Sequence, residues 1–196
     1  KDNPMILVDP KQLRVLESAA QYLLGCQLWR TLESGEILKV RIVETESYHQ
    51  EDEASHTFAG KSSRNSAMFG QSGHAYVYFT YGMHWCFNVT TGPKGYGAGV
   101  LIRAAEPLAG VELMCKNRAL SINDTKRLTN GPAKLAQALQ INKVLYGHNL
   151  SQPPLQLFEA TNRDFKVTET TRVGISKAKD TIARYYITNN PYVSKK

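Results

Sequence analysis

Residues 42–48 read IVETESY, which sets two carboxylates and a phenol at alternate positions. Alternate side chains of an extended chain share a face, so Glu44, Glu46 and Tyr48 point the same way. A carboxylate beside an aromatic platform suits a general base next to a stacked substrate. An exposed sheet edge would carry the same pattern, and periodicity taken alone leans slightly toward the edge.

Residues 76–85, YVYFTYGMHW, hold three tyrosines, and five of the chain's ten tyrosines lie between positions 48 and 96. Aromatics interleaved with basic residues suit base stacking, at about 1–3 kcal/mol per base. A bulky side chain on a tight turn can also wedge into a duplex step. Aromatic-rich strands more often form core. Tyr81-Gly82-Met83 is the part least like core, because the glycine implies a turn that exposes its neighbours. In Leu101-Ile102-Arg103-Ala104-Ala105-Glu106-Pro107 an arginine interrupts an apolar strand. A buried arginine needs a partner, either a phosphate or a carboxylate; Glu106 is the nearest candidate in sequence.

His49, His56, His74 and His84 are neighbours in sequence, but no HxH, HExxH or CxxC spacing occurs, so no metal site is expected. No phosphate-binding P-loop and no GxGxxG is present. Gly95-Tyr96-Gly97-Ala98-Gly99 leads into a strand and reads as loop. No cofactor is implied.

The elements that must position these residues follow from periodicity. Residues 10–24 read as one helix, with Pro10 in its first turn and Gly25 at its end. Residues 26–32 and 37–48 read as strands joined by a turn, and 49–74 as loop. Residues 75–90 read as strand broken near Gly82, and 97–104 as another. Helices are expected at 109–120 and 132–140, then short strands in 155–160, 165–170 and 184–188. Consecutive strands outnumber helices, which predicts an α+β fold around a curved antiparallel sheet.

With 196 residues, 42% hydrophobic and 21% charged, the chain can bury a core, and residues 1–196 read as one domain. No stretch of about 18 apolar residues exists to span a membrane. KDNPMILVDP has no signal-peptide pattern; the chain begins without methionine, so an upstream targeting segment stays outside what this sequence reads. Three widely spaced cysteines fit reduced thiols. Lys plus Arg is 24 against 17 for Asp plus Glu, a formal +7. The acids crowd into residues 44–53 while the bases spread over the later half. Such a chain is a candidate for a polyanionic partner.

The runs LLGCQL, RIVETESY, EDEASH, YVYFTYGM, VLIRAAEPLAG, NGPAKLAQALQINK and TRVGIS, in this order from about residue 23 to 176, with PYVS near the end, resemble the alkyladenine (3-methyladenine) DNA glycosylase family. The resemblance implies a compact single domain: a curved antiparallel sheet or partial barrel, flanking helices and a protruding DNA-inserting hairpin. It implies a monofunctional, monomeric base-excision-repair enzyme. Its substrates would be alkylated or deaminated purines (3-methyladenine, 7-methylguanine, hypoxanthine, ethenoadenine), flipped out of double-stranded DNA and hydrolysed off. Glu46 would activate the water, Arg103 would help hold it, and the Val173 carbonyl would complete its site. Tyr48 would stack on one face of the flipped base and Tyr78 with His56 on the other. Asn88 would crowd a guanine 2-amino group. Tyr81, with Met83 beside it, would fill the gap in the duplex, and Lys134 and Lys143 would meet phosphates. An intracellular place follows: cytoplasm and nucleoid for a bacterial chain, nucleus for a eukaryotic one. His84 and Trp85 stand where mammalian relatives carry other aromatics, and the 57–67 loop is shorter than theirs. The competing reading is a non-catalytic binder of damaged or single-stranded nucleic acid.

Overall fold

The strand that carries IVETESY is the axis of the architecture. The computed structural model describes residues 3–196. In it β2 (Ile37–His49) spans 13 residues. β1 (Gln27–Thr31) lies along one side of its first half, and β8 (Ile182–Ile187) takes over that side at residues 44–46. β5 (Ala98–Ala109) runs along the other side. Beyond β5 come β4 (His84–Thr90) and β3 (Ala75–Thr80); beyond β1 comes β6 (Leu155–Phe158); β7 (Val167–Thr171) closes on β8. All these pairings are antiparallel.

The β2–β5 ladder shifts register three times, twice around Glu44. Each shift leaves residues unpaired and increases local twist. The sheet curls there, and Arg103, skipped in the pairing, sits on the curl beside Glu44 and Glu46. Glu44, Thr45 and Glu46 are all fully buried. The sheet-edge reading of this strand is therefore wrong, because strands cover both of its sides.

α1 (Leu16–Tyr22), α2 (Val111–Arg118) and α3 (Pro132–Ala138) pack on the sheet, and α2 packs on α3. One apolar cluster joins Leu13, Leu24, Leu28, Ile42, Ile102 and Leu135, all fully buried. Burial of each such side chain contributes about 1.5–3 kcal/mol.

Three elements differ from the sequence reading. The helix expected over residues 10–24 divides into a 3-10 turn, Pro10–Leu13, and α1. Val15 is extended between them (φ −85°, ψ 103°), and the Leu13 carbonyl accepts the Gly92 N–H at 2.9 Å rather than an intrahelical donor. β5 runs on to Ala109, past the expected end at 104, so α2 starts later, behind Gly110 at φ 80°. The 49–74 loop contains a 3-10 turn, Ser66–Phe69. It is seated against Gly97, just before β5, where a side chain would meet the Phe69 ring at 2.6 Å and the Thr57 Cβ at 2.8 Å.

Candidate active site

β2 delivers Glu46 into a cavity of about 730 Å³, within the range of small-ligand pockets. The carboxylate is fully buried yet lines this space. Its Oε2 accepts the backbone N–H of Val173 at 2.7 Å. Its Oε1 accepts the Tyr48 hydroxyl at 2.9 Å and faces Arg103 Nη1 at 3.5 Å. A buried carboxylate needs such donors to stay charged. The donors come from β2, β5 and the segment after β7, which fixes its direction.

Arg103 does not pair with Glu106. Glu106 meets Arg41 at 3.4 Å, while Arg103 stands between Glu46 and Glu44, whose Oε2 lies 3.9 Å from Arg103 Nε. Arg103 Nε has no hydrogen-bond partner within the protein. Val173 donates its backbone N–H to Glu46, a contact separate from the water-site role that the resemblance implies for its carbonyl.

The aromatic wall has definite orientations. The Arg172 guanidinium covers the Tyr48 ring at 4.7 Å, leaving its other face to the cavity. Arg172 is held by Asp52 through two hydrogen bonds, one at 3.0 Å, and also bonds the Ser47 carbonyl. Burial, then the charge of Glu46, raises the Tyr48 phenol far above its usual value, so it remains a donor to Glu46. Burial raises Tyr78 similarly. The His56 ring stands edge-on to Tyr78 at 4.4 Å, with Nδ1 3.0 Å from the Tyr76 hydroxyl. Burial and then the Arg64 charge lower its pKa, which favours the neutral imidazole. Asn65 Nδ2 donates to the His56 carbonyl at 2.9 Å and so orients that peptide. Asn88 lines the cavity from β4, and its Nδ2 donates to the Tyr76 carbonyl of the neighbouring strand at 3.3 Å.

The hairpin between β3 and β4 turns on Tyr81 (φ 52°) and Gly82 (φ 65°), with Met83 N–H donating to the Thr80 carbonyl at 3.2 Å. Positive φ at both central residues marks the type I′ turn, which matches strand twist. For tyrosine that conformation costs roughly 1–2 kcal/mol. Tyr81 is 84% exposed and Met83 67%. The cross-strand pair Phe79–Trp85, with ring centroids 4.8 Å apart, braces the stem.

Lys134, on α3, lines the cavity rim and donates to Asn130 Oδ1 at 3.0 Å. Partial burial, then Arg118 and Arg127, lowers its pKa. Lys143 lies in an exposed 3-10 turn outside the cavity lining, so the structure does not gather it with the others. Met83 is likewise outside that lining. Among the described residues no group of three or more His, Cys, Asp or Glu could hold a metal ion, and no helix is long and apolar enough to cross a membrane.

Sequence reasoning missed two charge pairs behind the site: Asp52–Arg172, and Glu44–Arg184 at 2.7 Å. The demand that a buried arginine find a partner, applied to Arg103, applies equally to Arg184 within the apolar run of β8. It also missed that Lys177, Ser194 and Lys195 line the cavity.

A family model described as methylpurine-DNA glycosylase matches residues 12–191. A protein of Carboxydothermus hydrogenoformans is 46% identical over 179 residues, 90% of this chain and 92% of its own length. One of Francisella tularensis is 47% identical over 167 residues, covering 83% and 86%. One of Methanoculleus marisnigri is 43% identical over 184 residues, covering 91% and 93%. All three carry the words 3-methyladenine DNA glycosylase in their names.

Proposed function

The chain belongs to the methylpurine-DNA glycosylase family, and from that premise we propose that it hydrolyses the N-glycosidic bond of alkylated and deaminated purines with a water activated by Glu46. A DNA glycosylase role in repair is common ground for the family; the substrates and the water mechanism are the proposal. One observation carries it: a fully buried carboxylate that opens on the cavity and is held by Val173 N–H, the Tyr48 hydroxyl and Arg103.

In this reading a damaged purine leaves the stack and enters the cavity, with Tyr81 filling the gap it leaves. Tyr48 stacks on one face of the base, and Tyr78 with His56 meets the other. Arg103 and Val173 help to position the water, and Glu46 takes its proton as the oxygen bonds to C1′. The C1′–N bond breaks and its electron pair leaves with the base. A cationic lesion such as 3-methyladenine or 7-methylguanine leaves as a neutral base without prior protonation. Hypoxanthine and ethenoadenine are included because the stacking walls grip any purine, while Asn88 refuses guanine through its 2-amino group. Lys134 and Lys143 neutralise phosphates, and one copy of the domain binds one lesion.

Glu46→Gln keeps the shape and removes the base. Single-turnover excision should fall by roughly 10²–10⁴-fold, with binding to damaged duplex retained. Excision within tenfold of the native rate would overturn the assignment of Glu46 as the general base.

A further inference from the structure

Three carboxylates on or just after β2 are buried, and each faces an arginine from distant sequence: Glu44 with Arg184, Glu46 with Arg103, Asp52 with Arg172. The three are not equivalent. Arg184 holds Glu44 at 2.7 Å and Arg172 holds Asp52 through two hydrogen bonds, but Arg103 stands 3.5 Å from Glu46 and 3.9 Å from Glu44. Arg103 is thus the guanidinium with two carboxylates in reach and a close bond to neither.

What keeps it with Glu46 is the occupation of Glu44. Glu44 Oε2 receives Arg184 Nη1, and its Oε1 receives the Ser194 backbone N–H at 2.9 Å. Arg184 is itself fixed, donating to the Thr171 carbonyl at 2.7 Å and the Lys195 carbonyl at 2.8 Å. Remove the Arg184 charge, and Glu44 becomes an uncompensated buried anion. An unpaired charge at such a site is costly, and the nearest cation able to relieve it is Arg103.

We infer that Glu44 and Arg184 are positioning residues that act through Arg103: their mutual neutralisation leaves Arg103 to Glu46 and to the reacting nucleotide. This rests on the reading of Glu46 as the general base. Beyond its direct partners, Glu46 is faced by Tyr78 from β3 and Arg172 after β7, with Cys86 against Tyr78 and Arg103. None of these is changed by substitution at 44 or 184.

The two substitutions move charge in opposite senses. Glu44 and Glu46 are two strand positions apart, roughly 7 Å, close enough for one charge to act on the other. Arg184→Gln subtracts a positive charge and draws Arg103 away, which favours protonated Glu46. Glu44→Gln subtracts a negative charge and leaves Arg103 to Glu46 alone, which favours the carboxylate. The experiment is the pH–rate profile of single-turnover methylpurine release from alkylated duplex DNA, for R184Q, E44Q, the double variant and E46Q. Expected are an acid limb displaced upward by about one pH unit in R184Q and downward in E44Q, the size of effect a charge at this range produces. Below that limb R184Q should be at least tenfold slower than the native chain, and the double variant should return the limb to its native position. If R184Q does not fold, the downward shift in E44Q and its reversal in the double variant test the same claim. Limbs that stay in place, move the same way, or fail to return in the double variant would reduce the pair to a clamp for the 192–196 segment and overturn the inference. Methylpurine release by E46Q at near-native rate would instead refute the general base itself, a different and separable failure.

Discussion

Asp52→Asn removes a charge and almost no volume, so its effect isolates one ion pair. The Asp52 and Arg172 side chains are 6% and 0% exposed. Removing one partner strands the other's charge in the interior, at a cost of about 3–5 kcal/mol. A chain of this size loses about 2–4 °C per kcal/mol, so the melting temperature at pH 7 should fall by roughly 6–20 °C. The pH dependence follows from the carboxyl's own titration. Burial pushes it upward, and the Arg172 hydrogen bonds, the Ala54 N–H and the Arg172 and His49 charges together more than offset this, holding it below the usual carboxylate value. A carboxyl depressed in the folded state stabilises fully above its unfolded value of about 3.9 and loses that contribution as pH falls through the lower folded value. The native chain should therefore lose its advantage over D52N between about pH 5 and pH 2, while the gap stays flat from pH 5 to 7. Paired urea and thermal melts across that range measure it. A gap at pH 7 below about 1 kcal/mol, or one that survives acidification, would refute the claim that this pair is a net structural clamp.

Three further outcomes follow from the site. Tyr48→Phe keeps the stacking ring but removes a donor to Glu46, so the acid limb of the pH–rate profile should rise while damaged-DNA affinity stays within threefold; an unmoved limb excludes a role for the hydroxyl. Lys134→Ala should weaken binding to damaged and undamaged duplex alike and flatten the salt dependence by about one ion; titration at several salt concentrations reads it, and an unchanged slope makes Lys134 an ordinary rim charge. Asn88→Ser should raise release of guanine relative to hypoxanthine by about 1–3 kcal/mol of relaxed discrimination. If that ratio holds while the melting temperature falls, the bond from Asn88 to the Tyr76 carbonyl is its whole contribution.

The parts of the fold legible in the sequence are those with local causes. The Tyr81-Gly82 turn, the strands around it and α3 behind Gly131-Pro132 all stand where residue type and spacing put them. The long helix failed because a carbonyl at Leu13 is taken by Gly92, a partner no window around residue 13 contains. β2 misled for the same reason on a larger scale. Alternation shows which side chains share a face but not what covers them, and the acids on or just after β2 are matched by arginines 57, 120 and 140 positions away. Arg103 shows both sides of this: the need for a partner was readable, and the choice of Glu46 and Glu44 over Glu106 was not. The residues around Glu46 came from matching ordered motifs, whereas Lys195 and Lys177 carry no motif and emerge only when the chain closes around the cavity.

The pairing of three buried acids with three arginines has a long-range electrical consequence. That group is internally neutral, so the formal +7 of the chain belongs to residues outside it. Charge on the solvent side is attenuated by water and screened by mobile ions over about 8 Å at physiological ionic strength. The interior fixes the geometry at Glu46 while the exterior supplies a field that draws the domain toward any duplex, damaged or not. Diluting the salt should therefore quicken the first encounter with DNA through steering, while a neutral internal cluster leaves the step after capture far less sensitive to ionic strength.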